Sequence, residues 1–429
     1  MSRFLFVVPP LTGHVNPAVG IAGELAERGH EVAVAGHAGV VGPLLTPGLT
    51  LLPLAGTLRD SDQAAVEEKS RKLRGPASLK FLWKDFLIPL AVSMVDEVEA
   101  KVDQFAPDVL VVDQQAVGAA LVARRRALPW VTLATTSAEL DDPYQLLPGV
   151  GQWVLDTLRG FQCSQGVPEH EARVGDLRFS DQLTLVCSVP RMLRTGGFPD
   201  HYGFVGVPLG RRPAAAFPWD WLDPDREHVL VSLGTVTREV GSRFLQVAAD
   251  ALQPLGHRLQ AIVVAPPGIL GPRGAAPAAD GGLAGAGPDG VGQAGAGQAG
   301  GDLDDGAHDK GADDHILVLP HVPQVDLMPH LSAVVSHGGN NTVCEALAHG
   351  VPLVVAPVRD DQPVIGEQVV RVGAGLRVRF GRVSAPALRE SIISVLDEPS
   401  FRIAARRLRD DFAAAGGAAA AADRLLAMI

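Results

Sequence analysis

The chain has 429 residues, 47% of them hydrophobic, and a formal charge of −11. That length can bury two cores and points to two domains, while the negative balance argues against a nucleic-acid-binding or anionic-membrane surface. The three cysteines, Cys163, Cys187 and Cys344, have no metal or redox spacing. The apolar start at residues 4–8 is too short for a signal core, and no run approaches the ~20 apolar residues of a membrane span. The expectation is a cytoplasmic protein with reduced cysteines.

Short apolar runs alternate with helical patterns along the chain, which predicts parallel sheets covered on both faces. Residues 4–9 read as the first strand. A loop over residues 10–17 (Pro-Leu-Thr-Gly-His-Val-Asn-Pro) then enters a helix carried by Ala18, Ile21, Ala22, Leu25 and Ala26, which stops at Gly29. Further strands are predicted at residues 31–35, 108–113 and 130–133. The pattern restarts at residues 228–235 and continues with strands at 261–264, 316–319 and 333–335. Between the halves the sequence is rich in Pro, Gly and Trp with little periodicity. The division is therefore an amino-terminal domain over residues 1–206, a linker over 207–227 and a carboxyl-terminal domain over 228–429.

Residues 271–314 break the pattern. They hold 14 of the 48 glycines and only Leu283, Val291 and Leu303 as large apolar residues, too little to offset ordering entropy, so disorder is expected.

Two places carry chemistry by position alone. His14 follows the first strand and precedes a helix, the usual ligand-binding end of an open α/β sheet; Asp113 ends a later strand. A helix N-terminus disfavours imidazolium, whereas a carboxylate on the other ring nitrogen stabilises it, so the two influences oppose each other. As bland alternatives, His14 could simply cap its helix and Asp113 form a turn. The second place is the run from Ser336 to Glu345, Ser-His-Gly-Gly-Asn-Asn-Thr-Val-Cys-Glu, between a strand and a helix. Its two glycines permit close backbone approach, and the free N–H groups of a helix N-terminus favour a phosphate or diphosphate. His337, Asn341 and Thr342 add donors, and Glu345 could accept from sugar hydroxyls.

Upstream stands His321-Val322-Pro323-Gln324, and downstream Gly350-Val351-Pro352 and Asp361-Gln362-Pro363. This ordered set resembles the donor-binding signature of nucleotide-sugar-dependent glycosyltransferases, most nearly the bacterial antibiotic and macrolide type related to plant UDP-glycosyltransferases. The resemblance implies the GT-B fold: two Rossmann-like α/β domains whose parallel sheets face each other across a cleft, with the last helix packing back toward the first domain. It implies that His14 deprotonates the acceptor and Asp113 orients it. For the donor it implies Ser232, Gly234 and Thr235 at one strand-end turn, and His321, Val322 and Gln324 at the base and ribose. It further implies His337, Gly338, Gly339, Asn340, Asn341, Thr342 and Glu345 at the diphosphate and ribose, and Asp361 and Gln362 at the sugar. Asn340 stands where plant relatives carry tryptophan. Relatives have a much shorter connection at residues 271–314, so that segment reads as an insertion or as the product of paired frameshifts in a GC-rich gene.

Aromatic residues are sparse, 5% of the chain, yet Phe81, Trp83, Phe86 and Tyr144 cluster with Met94 in the first half. They fit either a hydrophobic pocket for a bulky aglycone or ordinary helix packing; Thr12 and Thr135 complete the candidate acceptor set. The expected activity is inverting transfer of a sugar from a UDP- or TDP-sugar to a lipophilic natural-product acceptor. No cofactor or metal is expected, because the helix at Asn341 would stabilise the leaving diphosphate. The alternatives are a catalytically silent helper of another transferase and a nucleotide-sugar epimerase of the same fold. Expected partners are the nucleotide sugar and the acceptor, with no nucleic acid or membrane insertion, in a monomer or homodimer.

Overall fold

The computed structural model describes residues 1–55, 73, 76–141, 148–193, 196–210, 212, 215–234, 241–270 and 315–429. Thr235, Tyr144 and the segment 271–314 lie outside the described residues.

Two parallel sheets form the frame. In the first, β1 (Arg3–Val7), β2 (Glu31–Gly36), β3 (Thr50–Pro53), β4 (Val109–Asp113), β5 (Trp130–Ala134), β6 (Thr184–Val186) and β7 (Tyr202–Phe204) are ordered β3-β2-β1-β4-β5-β6-β7. In the second, β8 (Glu227–Ser232), β9 (Leu259–Val264), β10 (Ile316–Leu319), β11 (Ala333–Ser336), β12 (Leu353–Val355) and β13 (Gly375–Arg377) are ordered β10-β9-β8-β11-β12-β13. The central strands read as continuous apolar runs because helices cover both faces; all five residues of β4 are buried.

The pleat sends neighbouring side chains to opposite faces, and β4 displays this directly. Leu110 and Val112 pack toward the helices α2 (Ile88–Phe105) and α3 (Val117–Arg125), in one cluster with Trp83, Leu90, Met94 and Val98. Val109 and Val111 pack toward α1 (Thr12–Glu27) with Phe4, Phe6 and Ile21. Along α2 the buried residues Leu90, Met94, Val98, Val102 and Phe105 recur every three or four positions, the stripe that turns a helix toward a sheet. A later helix, α4 (Pro148–Ser164), adds Val154, Leu158 and Phe161 to the same core.

The second sheet is covered by α5 (Ser242–Leu252), α6 (Asn340–Ala348), α7 (Gln362–Arg371), α8 (Ala385–Asp397) and α9 (Pro399–Ala415). Gly416, at φ 82°, ends α9 in the left-handed conformation. The chain then turns into α10 (Gly417–Leu426), which crosses to the first half: its Ala421, Ala422 and Leu425 are buried among Phe4, Phe6 and Ala22. Arg28 of the first half pairs with Asp423 at 2.5 Å. No described helix is long and apolar enough to cross a membrane.

In each sheet the strand order changes direction once, between β1 and β4 and between β8 and β11. Connections leave such a point on opposite faces and open a crevice at the carboxyl ends of the strands.

Candidate active site

Both halves of the site stand at these switch points. His14 lies in the first turn of α1, directly after β1, and Asp113 is the last residue of β4, its neighbour in the sheet. His14 Nδ1 is 2.9 Å from Asp113 Oδ2 and 3.0 Å from Oδ1. The carboxylate is fully buried and held from two other sides, by the Gln115 backbone N–H at 2.8 Å and the Thr135 hydroxyl at 2.8 Å. Thr135 Oγ1 also lies 2.7 Å from His14 Nδ1. With Nδ1 turned to the carboxylate, the neutral imidazole presents its Nε2 lone pair for a proton.

Burial by itself lowers the His14 pKa, but the Asp113 carboxylate, with smaller contributions from Asp361 and Glu139, more than reverses it and lifts the ring above the usual 6.5.

The helix that carries His14 contains Pro17. Proline has no N–H, so the carbonyl four residues back, Gly13, loses its intrahelical partner. That carbonyl instead accepts from the Asn341 side-chain amide, at 2.7 Å, from the N-terminus of α6 in the other half. Asn340 likewise donates to the Thr135 carbonyl at 2.9 Å.

The half of the site in the second sheet is built around His337. Its ring is wedged between two glycines: a Cβ on Gly234 or on Gly339 would lie 2.6 Å from ring atoms. Gly234 has φ +64° and Gly338 φ +87°, conformations that side chains resist. Buried and with no charged partner, the ring has its pKa lowered to about 4 by desolvation, so it is neutral at pH 7. Its Nδ1 is buried without a hydrogen-bond partner. Ser232 at the end of β8 and Thr342 in α6 are buried beside the same switch point.

Glu345 sits in α6, 1% exposed. One of its oxygens is paired with Arg212 and the other accepts from Gln324 Nε2 at 2.6 Å, which also reaches Thr342 Oγ1 at 3.3 Å. Arg212 is not among the sequence candidates; one of two adjacent arginines in an aperiodic linker carries no local signal. His321 is exposed and Val322 packs against the core of the second half.

The loop before α7 reaches back across the cleft. Asp361 Oδ2 accepts from Thr136 Oγ1 at 2.7 Å, and Asp360, at φ 54°, accepts from Ser78 Oγ at 2.7 Å. Burial raises the Asp361 pKa, with the Thr136 hydroxyl acting against it. Gln362 is turned inward: its Oε1 accepts from the backbone N–H of Val358 at 2.9 Å and of Arg359 at 3.1 Å, bracing its own turn. Thr136 and Ser137, also missed in the sequence, follow β5, the strand next to β4, which is the signal that could have found them.

Of the acceptor candidates, Thr12 is partly buried in the first turn of α1, and Thr135 joins the His14–Asp113 pair. Phe81, Trp83, Phe86 and Met94 are all buried, the last three in the core packed on the first sheet, with Trp83 and Met94 fully enclosed. Arg178, paired with Glu139 at 2.8 Å and with Asp176, lies 6.0 Å from the Trp83 ring centre.

Residues 307–428 match the family described as erythromycin biosynthesis protein CIII-like, C-terminal domain. The chain is 27% identical to 4'-demethylrebeccamycin synthase of Lentzea aerocolonigenes over the full length of both. It is 28% identical to demethyllactenocin mycarosyltransferase of Streptomyces fradiae, over 99% of this chain and 86% of that protein. Among solved structures, the glycosyltransferase SsfS6 of Streptomyces sp. SF2575, complexed with thymidine diphosphate, superposes with a TM-score of 0.66 at 20% identity, covering all of both chains.

Proposed function

We infer that this chain, a glycosyltransferase with the GT-B fold and an erythromycin-CIII-like carboxyl-terminal domain, moves a sugar from a nucleoside diphosphate to a natural-product aglycone with inversion. The observation that carries the reading is the placement of a hydrogen-bonded His14–Asp113 pair at one switch point against the N-terminus of α6 at the other. His14 Nε2 takes the proton of the acceptor as the acceptor attacks the anomeric carbon in one displacement. The glycosyl–oxygen bond breaks on the opposite side, and the departing diphosphate is received by the free N–H groups of α6 and by His337. Glu345 and Gln324 receive the ribose, and Asp361 the sugar hydroxyls. On this reading the helix end supplies the leaving-group stabilisation and no metal is needed. The donor nucleotide is uridine or thymidine diphosphate, with thymidine diphosphate favoured by analogy to the thymidine diphosphate complex of SsfS6.

Incubation with UDP- and TDP-sugars, with and without a phenolic aglycone, tests this. Transfer, or slow donor hydrolysis in the absence of acceptor, with inverted product stereochemistry is expected. Release of nothing would identify a helper protein, and an altered but still nucleotide-linked sugar would identify an epimerase.

A further inference from the structure

Two consecutive carboxylates of the loop before α7 are each held by a hydroxyl of the first half. Asp361 Oδ2 accepts from Thr136 Oγ1 and Asp360 Oδ1 from Ser78 Oγ, both at 2.7 Å. The two hydroxyls come from separate elements. Thr136 follows β5, whereas Ser78, 2% exposed, lies in the short helix Pro76–Phe81, from which the chain runs on through the enclosed Trp83 into α2. Asp360 holds φ 54°, a left-handed conformation that residues with a Cβ keep only where the surroundings enforce it. On the inner side the turn is braced by Gln362, whose Oε1 accepts from the backbone N–H groups of Val358 and Arg359. On the outer side the Asp360 carboxylate meets Ser78 and, at 3.4 Å, Arg359 Nε. A single hydrogen bond to the first half would let the loop swing about it. Two, on adjacent residues and from separate elements, fix its direction.

Resting on the transferase reading above, in which Asp361 receives the sugar hydroxyls, we propose that Asp360 and Ser78 are positioning residues for that carboxylate. With Oδ2 on Thr136, the direction in which Asp361 presents its other oxygen depends on the backbone at residues 360 and 361, and Ser78 holds that backbone through the side chain of Asp360. Both residues act through Asp361 rather than on the donor. A misdirected carboxylate keeps its charge but loses hydrogen-bond geometry, and hydrogen bonds weaken steeply with angle. The penalty therefore falls on the sugar and not on the nucleotide. Because Ser78 stands three residues before Phe81 on the segment that leads into α2, the sugar loop is tied to the helical layer of the first half as well as to its sheet.

The test uses the full-length protein and calorimetry with uridine and thymidine diphosphate and with UDP-glucose and TDP-glucose. Ser78→Ala should weaken nucleotide-sugar binding by about three- to tenfold, the order of one hydrogen bond, while nucleoside diphosphate affinity stays within about twofold. Asp360→Gly, which accepts the left-handed turn but offers nothing to Ser78, should show the same loss, and it carries the test should Ser78→Ala fail to fold. Asp360→Asn, which tolerates that conformation and keeps an oxygen for Ser78, should retain most of the affinity. Action through Asp361 has its own signature: Asp361→Ala should lose the sugar-dependent affinity, and adding Ser78→Ala to it should cost nothing more. Unchanged nucleotide-sugar affinity in folded Ser78→Ala, Asp360→Gly or Asp361→Ala, or losses that add in the double variant, overturn the proposal. A wild type that binds neither nucleoside diphosphate sinks the transferase reading itself, whereas intact diphosphate binding with no effect of Ser78→Ala sinks only this one.

Discussion

The side-chain amide of Asn341 donates to the carbonyl of Gly13, 328 residues away in sequence, at 2.7 Å. It does so because Pro17, four residues beyond Gly13, has no N–H to offer that carbonyl. A helix defect in one half thus becomes a contact that ties the N-terminus of α6 to the turn carrying His14.

Asn341→Ala should loosen this contact by about 0.5–1.5 kcal/mol. Pro17→Ala restores the N–H and allows the helix to recapture Gly13, so the loss caused by Asn341→Ala should shrink in the Pro17→Ala background. A double-mutant cycle on chemical denaturation measures the coupling; strictly additive effects would show that Pro17 does not set up the bond.

The pH dependence of transfer follows from the raised His14 pKa. The general base must be neutral, so kcat/KM should fall as the pH drops through a midpoint above 6.5. Asp113→Asn removes the main influence that raises the pKa; the midpoint should move down even as the rate falls. His14→Ala should cost on the order of 10²–10⁴ in rate with nucleotide affinity nearly intact. An unchanged midpoint in Asp113→Asn would separate the aspartate from the base.

His337 makes the opposite prediction for stability. Its folded-state pKa of about 4 lies below the ordinary histidine value, so the unfolded chain takes up a proton that the folded chain refuses. Its contribution to stability is full above about 6.5 and declines as the pH falls toward 4. His337→Asn should flatten the stability profile between pH 6.5 and 4 in denaturation series and weaken diphosphate binding. A profile identical to the wild type would mean the ring is not neutralised by burial.

Gly339→Ala should disturb the same ring, because the added methyl would lie 2.6 Å from His337 Nε2. Nucleoside diphosphate affinity should drop by about tenfold, the order of one hydrogen bond to a charged group. The drop should be smaller in a His337→Ala background, where the clash is gone. Calorimetry showing equal losses in both backgrounds would point to the backbone rather than the ring.

Shortening residues 271–314 should leave the fold in place. β9 and β10 pair in parallel from Ala261 with Ile316 to Val264 with Leu319, which requires a return connection of about a dozen residues. The segment from 265 to 315 exceeds that need, and closure entropy changes slowly with length. A variant keeping about twelve connecting residues should match the wild type in melting temperature and nucleotide affinity; a folded variant that cannot bind nucleotide would place the segment in the donor site.

The sequence by itself determined the alternation of buried strands and helices, the parallel sheets that follow from it, and the ordered motifs around residues 321–363. These are local patterns: periodicity, a glycine turn and short spacings are all read within a few residues of chain. His14 and Asp113 were legible for a related reason, since one follows and the other ends a strand that could be recognised on its own. Tertiary structure decided how those ends meet. Thr135 closes on His14 and Asp113, Thr136 on Asp361 and Arg212 on Glu345 only because strand order and the cleft bring separated segments together, and hydropathy holds no record of such pairings. It also decided the fate of Trp83, Phe86 and Met94, because an apolar side chain has the same signature whether it fills a core or lines a pocket.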